Sequence, residues 1–273
     1  TKRFDKMLRR LAAAVRTPGI LTGTENGESA ASLLRMAAAH HGVSPGSDEM
    51  VCLEPSVTSS RSTRSAASSK TTPSRKVKKL SKKAIPSWQS DDTDAACLRT
   101  SWAPDASMVT ARFNSEPVKL DFVVEGVPIF SGPWQLELAE GGDILELEAA
   151  WECICWNSDS DVDYLELQLE FEGGPIIHRY VLLSRVQQFA IISDIISNST
   201  PGRVDLATSL PLAHGVTLES SGNGREQILK AGDKTVRVFP LALPQDSGIG
   251  TAGHIGLNEV DDCSSLTLSH ASE

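Results

Sequence analysis

A few short constellations in this sequence bring together residue types that can do chemistry. In His178-Arg179-Tyr180 a strand conformation would turn His178 and Tyr180 to one face and Arg179 to the other. An imidazole and a phenol side by side can share proton transfer. Two rings on one strand face are more simply cross-strand packing, so no catalytic residue is assigned from them. Asp159-Ser160-Asp161-Val162-Asp163 spaces three carboxylates two apart, and Glu170 falls at the twelfth position of a calcium loop. Tyr164 stands where such a loop needs glycine, and Leu165, Leu167 and Leu169 claim the segment for a strand. An acidic turn edge is expected, with no metal assigned.

Five cysteines (Cys52, Cys97, Cys153, Cys155, Cys263) are too few and too scattered for a disulfide scaffold. Cys153 and Cys155 would share one strand face but lack the gap of a zinc or redox pair, so buried or half-buried thiols are expected. His40, His41, His214, His254 and His270 show neither metal spacing nor a partner motif. There is no Gly-x-Ser-x-Gly elbow, phosphate loop or dinucleotide fingerprint, and Gly248–Gly250 is only a small-residue loop. No cofactor is expected, and the substrate-binding residues are unknown. Trp102, Trp134, Trp151 and Trp156 could build a sugar-stacking surface. Core filling is the simpler account, above all for Trp134, which alternates with Leu136 and Leu138.

The elements that would position these residues follow from periodicity and charge. Of 273 residues 40% are apolar, enough for one sizeable core or two small ones. No window approaches the length of a membrane helix, so no transmembrane segment is expected. The net charge of −9 is split: residues 1–92 carry 16 Lys+Arg against 8 Asp+Glu, and residues 93–273 carry 10 against 27. Such asymmetry marks regions with separate jobs. The acidic part should repel nucleic acid, so no nucleic-acid partner is expected for it.

Phe4, Met7, Leu8, Leu11 and Val15 predict a helix over 2–16, ended by Pro18-Gly19. Ala30, Leu33, Leu34, Ala37 and Ala38 predict a second over 28–41, stopped at Gly42. Together they make a helical segment over 1–45. Residues 46–92, rich in Ser, Lys and Arg, cannot bury enough apolar surface to offset their ordering entropy and read as a disordered linker. The basic run Arg75–Lys83 there could bind nucleic acid or an anionic lipid surface, but it lacks interleaved aromatics. The boundary of the next domain falls near Trp88.

From residue 93 to 245 the period is two. Val118, Leu120, Phe122 and Val124 alternate with Lys119 and Asp121; Trp134, Leu136 and Leu138 with Gln135 and Glu137; Leu165, Leu167, Leu169 and Phe171 with Glu166, Gln168 and Glu170. Residues 176–183 and 187–196 are more apolar and read as central strands, and 226–230 with 234–239 as a hairpin about Gly232-Asp233. Gly-rich turns at 140–143 and 172–175 complete the pattern of an antiparallel β-sandwich. Its glutamate rows are expected to be solvated outer faces. Residues 246–273 read as a loop or tail. The fold class is thus mostly β, an antiparallel sandwich preceded by two short helices and a disordered linker.

Cys97-Leu98-Arg99-Thr100-Ser101-Trp102-Ala103-Pro104-Asp105-Ala106, followed by Val109 to Phe113, resembles the opening of the β-sandwich in heparinase II/III-like proteins, where an Arg-x-x-Trp-x-x-Asp-Ala pattern leads into a strand. Tyr180 to Ile196, with its turn at Ser184-Arg185 and with Asp194, is similar to paired strands of that domain. The similarity spans roughly 88–243. It implies that an α/α toroid precedes the sandwich, that residues 1–45 are a remnant of it, and that the chain, which starts at Thr1, is a fragment. It further implies β-elimination on uronic-acid polysaccharides, an acidic polysaccharide partner, an upstream toroid domain as a second partner, and a periplasmic or extracellular location. In that family the sandwich contributes a His from a His-x-His-x-Asp-like segment. The corresponding stretch, Asn114 to Phe122, has no His, and Asp121 is its one candidate for the acidic member. The fragment is therefore expected to be inactive by itself. The alternative is a non-catalytic carbohydrate-binding or structural interaction module.

Overall fold

The computed structural model describes residues 15–16, 20–21, 85–114, 116–145, 150–170, 174–197, 204–220, 226–241, 253–260 and 263–272. It is built almost wholly of strands. β1 (Val15–Arg16) and β2 (Ile20–Leu21) form a two-residue antiparallel ladder. The helix expected over 2–16 is therefore not helical at its last two residues: Thr17-Pro18-Gly19 is turn-prone, and β-branched Val15 suits a strand. The rest of that helix, the helix over 28–41 and the linker up to residue 84 lie outside the described residues. Among the described residues no helix is long and apolar enough to cross a membrane.

One large antiparallel sheet contains β3 (Trp88–Ser90), β4 (Ala95–Arg99), β5 (Met108–Arg112), β6 (Val118–Val124), β7 (Val127–Glu140), β8 (Asp143–Ile144), β13 (Val204–Pro211), β17 (Gly253–Val260) and β18 (Cys263–Ser272). Its order is β17-β18-β13-β7-β6-β5-β4-β3, with β8 pairing β7. A short 3₁₀ turn at Asp91–Thr93 joins β3 to β4. A second sheet has the order β12-β11-β10-β9, from β9 (Glu152–Ser158), β10 (Val162–Glu170), β11 (Ile176–Ser184) and β12 (Ala190–Ser197). A third is β14 (Val216–Ser220), β15 (Gln227–Ala231) and β16 (Lys234–Val238).

The fourteen-residue β7 ties the large sheet together. Val127 to Trp134 pair with β6, and Gln135 to Glu140 pair with β13. Gly132 sits at the exchange with φ +138, and a Cβ there would lie 2.9 Å from Pro211. Only glycine accepts both the dihedral and the approach. Gly141 and Gly142 both have positive φ, as a tight hairpin turn requires.

The expected sandwich is present. Leu98, Val109, Leu120, Ile129 and Trp134 of the large sheet share one core with Leu165, Leu167, Leu169, Ile177 and Val181 of the four-stranded sheet and with Leu229 of the third. Three expectations need correction. The large sheet begins at Trp88, where the sequence places the domain boundary, so the last residues of the stretch 46–92 assigned to the linker include a strand. Of residues 187–196, those from Ala190 on belong to β12, which is an edge strand and not a central one. The expected loop or tail over 246–273 instead carries the hairpin β17–β18 at the far edge of the large sheet. Its many Ser, Thr and Gly residues hide the alternation that marks the other strands, because edge strands need less apolar surface.

Candidate functional site

Alternation on β10 and β11 sends Leu165, Leu167, Leu169, Ile177, Arg179 and Val181 inward, all buried. Tyr164, Glu166, Gln168, His178 and Tyr180 are left on the outer face, where Glu166 lies opposite Tyr180 and Gln168 opposite His178. The sequence expectation that His178 and Tyr180 share a face and that Arg179 takes the other is met. Their rings stack at 6.1 Å between centroids, and the ring of Tyr164 is 6.2 Å from that of Tyr180.

Glu166 links these rings. Tyr164 donates its hydroxyl to Oε2 at 2.9 Å, and Nδ1 of His178 lies 3.1 Å from Oε1. The side chains of His178 and Glu166 are only 19% and 17% exposed, so this glutamate departs from the expected solvated row. Glu137 and Glu170 keep to it and are exposed. Burial, then the hydrogen bond to Glu166 and its negative charge, push the Tyr164 hydroxyl well above the usual phenol range. Burial and the same carboxylate raise Tyr180. Both phenols therefore remain protonated donors near neutrality. If Nδ1 donates to Glu166, Nε2 of His178 is left as a hydrogen-bond acceptor. Glu166 and Tyr164 escaped the sequence reading; the signal for them is the cross-strand register, which the sequence alone does not contain.

The other singled-out residues serve the scaffold. Asp159 accepts from the amides of Asp161 and Val162 at 2.8 and 3.0 Å, closing the turn, and these bonds hold its carboxyl below the usual range. Asp163 points inward and pairs with Arg185 at 2.6 Å. The three acids diverge, and among the described residues no group of three His, Cys, Asp or Glu could hold a metal ion. Cys153 and Cys155 do not share a face: the ladder slips between Glu166 and Leu167, setting Cys153 against inward Leu167 and Cys155 against outward Glu166. Burial raises the Cys153 thiol to about 11.

Trp102, Trp134 and Trp151 are buried in the core and Trp156 is half-buried against it, as core filling requires. Arg99 is buried and turns its guanidinium onto the carbonyls of Ser101 and Ala103 at 2.9 and 2.8 Å. The Arg-x-x-Trp-x-x-Asp-Ala stretch is thus a loop-building device between β4 and β5. Asp121 accepts from Ser131 at 2.6 Å and from Thr110 at 3.4 Å, hydrogen bonds between neighbouring strands.

No family model matches this chain, and no curated protein matches it. Among solved structures it is similar to the crystal structure of heparan sulfate lyase HepC from Pedobacter heparinus, at 9% identity and a TM-score of 0.58, over 98% of this chain and 43% of that one. A heparinase III with methylated lysines gives 12% identity and a TM-score of 0.58, over 100% of this chain and 43% of that one. At such identities the likeness is one of fold. It agrees with the resemblance carried by Arg99 to Ala106 and by Tyr180 to Ile196. The chain spans less than half the length of these lyases, and over that span its β-rich architecture is a heparinase-like one.

Proposed function

We propose that this chain is the C-terminal β-sandwich portion of a heparinase II/III-like polysaccharide lyase, acting as scaffold and not as catalyst. The extent of the structural likeness supports this reading: nearly the whole chain is covered, but only 43% of each lyase. Two observations support the division of labour. Residues 114–122 hold no His, and the acid there, Asp121, is engaged by its strand neighbours. Residues 93–273 carry 27 acidic against 10 basic residues and repel a polyanionic sugar at long range, which favours a scaffold role over capture of the substrate.

The test follows the ultraviolet absorbance of the unsaturated product with heparan sulfate, heparin and other uronic-acid polysaccharides. The natural polypeptide containing this sequence is expected to give a rising trace and the 273-residue chain a flat one. A rise from the 273-residue chain alone overturns the scaffold role. Flat traces from both overturn the lyase reading.

A further inference from the structure

The four-stranded sheet ends on β12, and no described strand pairs with its far side. The unpaired backbone donors and acceptors of such an edge are a template for another strand, and proteins ordinarily blunt them. The other edges of the three sheets are blunted. β3 has only three residues, the ladder of β9 slips, β14 carries exposed Glu219, β16 carries Lys234 and Arg237, and Gly256 interrupts β17. By contrast β12, Ala190-Ile191-Ile192-Ser193-Asp194-Ile195-Ile196-Ser197, holds no Pro, Gly, Lys or Arg. Its one charge, Asp194, is already buried with Arg179 inside the single chain and neither repels nor attracts a neighbour.

The same edge is apolar. Of the ten large apolar side chains exposed among the described residues, four lie between 186 and 195. Val186 and Phe189 are in the turn before β12, and Ile191 and Ile195 are on its outer face, beside Leu182 and His178 of β11. We propose that β12 pairs antiparallel with β12 of a second copy, across a two-fold axis at Ser193, so that two four-stranded sheets become one continuous sheet. In this register Ile191 of each copy lies opposite Ile195 of the other, Ser193 meets Ser193, and no like charges are opposed. The strand itself selects the occupant. Its bare backbone requires an extended segment, its lack of a free charge offers an acidic or basic segment no ion pair, and its two exposed isoleucines are placed symmetrically about Ser193. An isologous pair consumes both edges, so assembly stops at the dimer. The proposal does not rest on the lyase reading.

Sedimentation of the 273-residue chain over about 1–500 μM should show a monomer–dimer equilibrium with a Kd of roughly 10–100 μM, as a small edge interface allows. Ile191→Lys combined with Ile195→Lys sets like charges opposite each other and should weaken association at least about tenfold, as should Ile191→Glu combined with Ile195→Glu. An equimolar mixture of the two should dimerise again. Directly opposed strand residues are close enough for a disulfide, so Ser193→Cys should give a covalent dimer joined at position 193 on mild oxidation. The natural polypeptide containing this sequence should dimerise as well. A parent chain that stays monomeric overturns the proposal. So does a lysine variant that keeps the parent circular dichroism and still dimerises as the parent does, a mixture that stays monomeric, or a Ser193→Cys variant that cross-links no more than the parent. A monomeric natural polypeptide overturns it too, since the rest of that polypeptide would then occupy the edge. None of these results bears on the ultraviolet assay for elimination.

Discussion

Arg179 on β11 and Asp194 on β12 are directly opposed in the ladder and meet at 2.8 Å with side chains 0% and 1% exposed. The guanidinium carbon lies 4.1 Å from the ring centre of Trp134 and 4.6 Å from that of Trp151, and Nη1 donates to the Trp134 carbonyl at 2.9 Å. A charge from the small sheet is thus held against the large one, compensated by carboxylate, carbonyl and two aromatic faces. Removing one partner strands the other without water. Arg179→Met should cost about 3–5 kcal/mol, read from the urea midpoint, and Arg179→Met with Asp194→Leu should recover most of that loss. A single substitution costing no more than the double one would show that the pair is not compensated in this way.

Asp163 clasps the two sheets at a second point. It accepts from Ser87 at 2.6 Å, Ser158 at 2.5 Å, Arg185 at 2.6 Å and the Arg99 amide at 3.1 Å. Ser87→Ala should cost about 1–2 kcal/mol and Asp163→Ala several times as much, because the latter leaves the Arg185 charge buried with only hydroxyl partners and no carboxylate. Equal effects in denaturant unfolding would place the clasp elsewhere.

Glu116 receives a hydrogen bond from Trp151 Nε1, yet burial dominates and raises its carboxyl above the ordinary glutamate value. Its proton is therefore held more tightly in the folded chain than in the unfolded one. The contribution is fully present below the unfolded value and is lost as pH rises through the folded value. Glu116→Gln keeps an acceptor for Trp151 and should raise the melting temperature at pH 7, with the two proteins converging in acid. A variant less stable at pH 7 and matched in acid would reverse the assignment.

Because Tyr164 and Tyr180 are the only phenols in the chain, an alkaline absorbance titration reads nothing else that forms phenolate. Both should ionise above the ordinary tyrosine range. Glu166→Gln should move the curve to lower pH, since it removes the negative charge that opposes ionisation.

Thiol alkylation at pH 8 separates the paired cysteines. Exposed Cys155 should react, while Cys153, held at about 11, and buried Cys97 should be spared in the folded chain. Peptide mass mapping reports each site, and equal labelling of Cys153 and Cys155 would contradict the ladder slip between them.

Local chemistry by itself determined much of this protein. Leu165, Leu167 and Leu169 declare an inward face, Trp134 in step with Leu136 and Leu138 declares itself core, and Gly141-Gly142 and Gly232 declare turns, because a period of two and a positive φ are properties of a few adjacent residues. Other features belong to pairs of distant residues, and only the tertiary structure decided them. Glu166 resembles every other strand glutamate until β11 sets Tyr180 opposite it and His178 within reach. Arg179 and Asp194 are polar in type yet occupy the core, since each neutralises the other only after β11 and β12 align. The slip that parts Cys153 from Cys155 depends on how β9 meets β10, and the hairpin after residue 252 becomes a strand pair because β13 offers it an edge. Register is a long-range choice, made where burying one side chain well requires a partner far away in the chain.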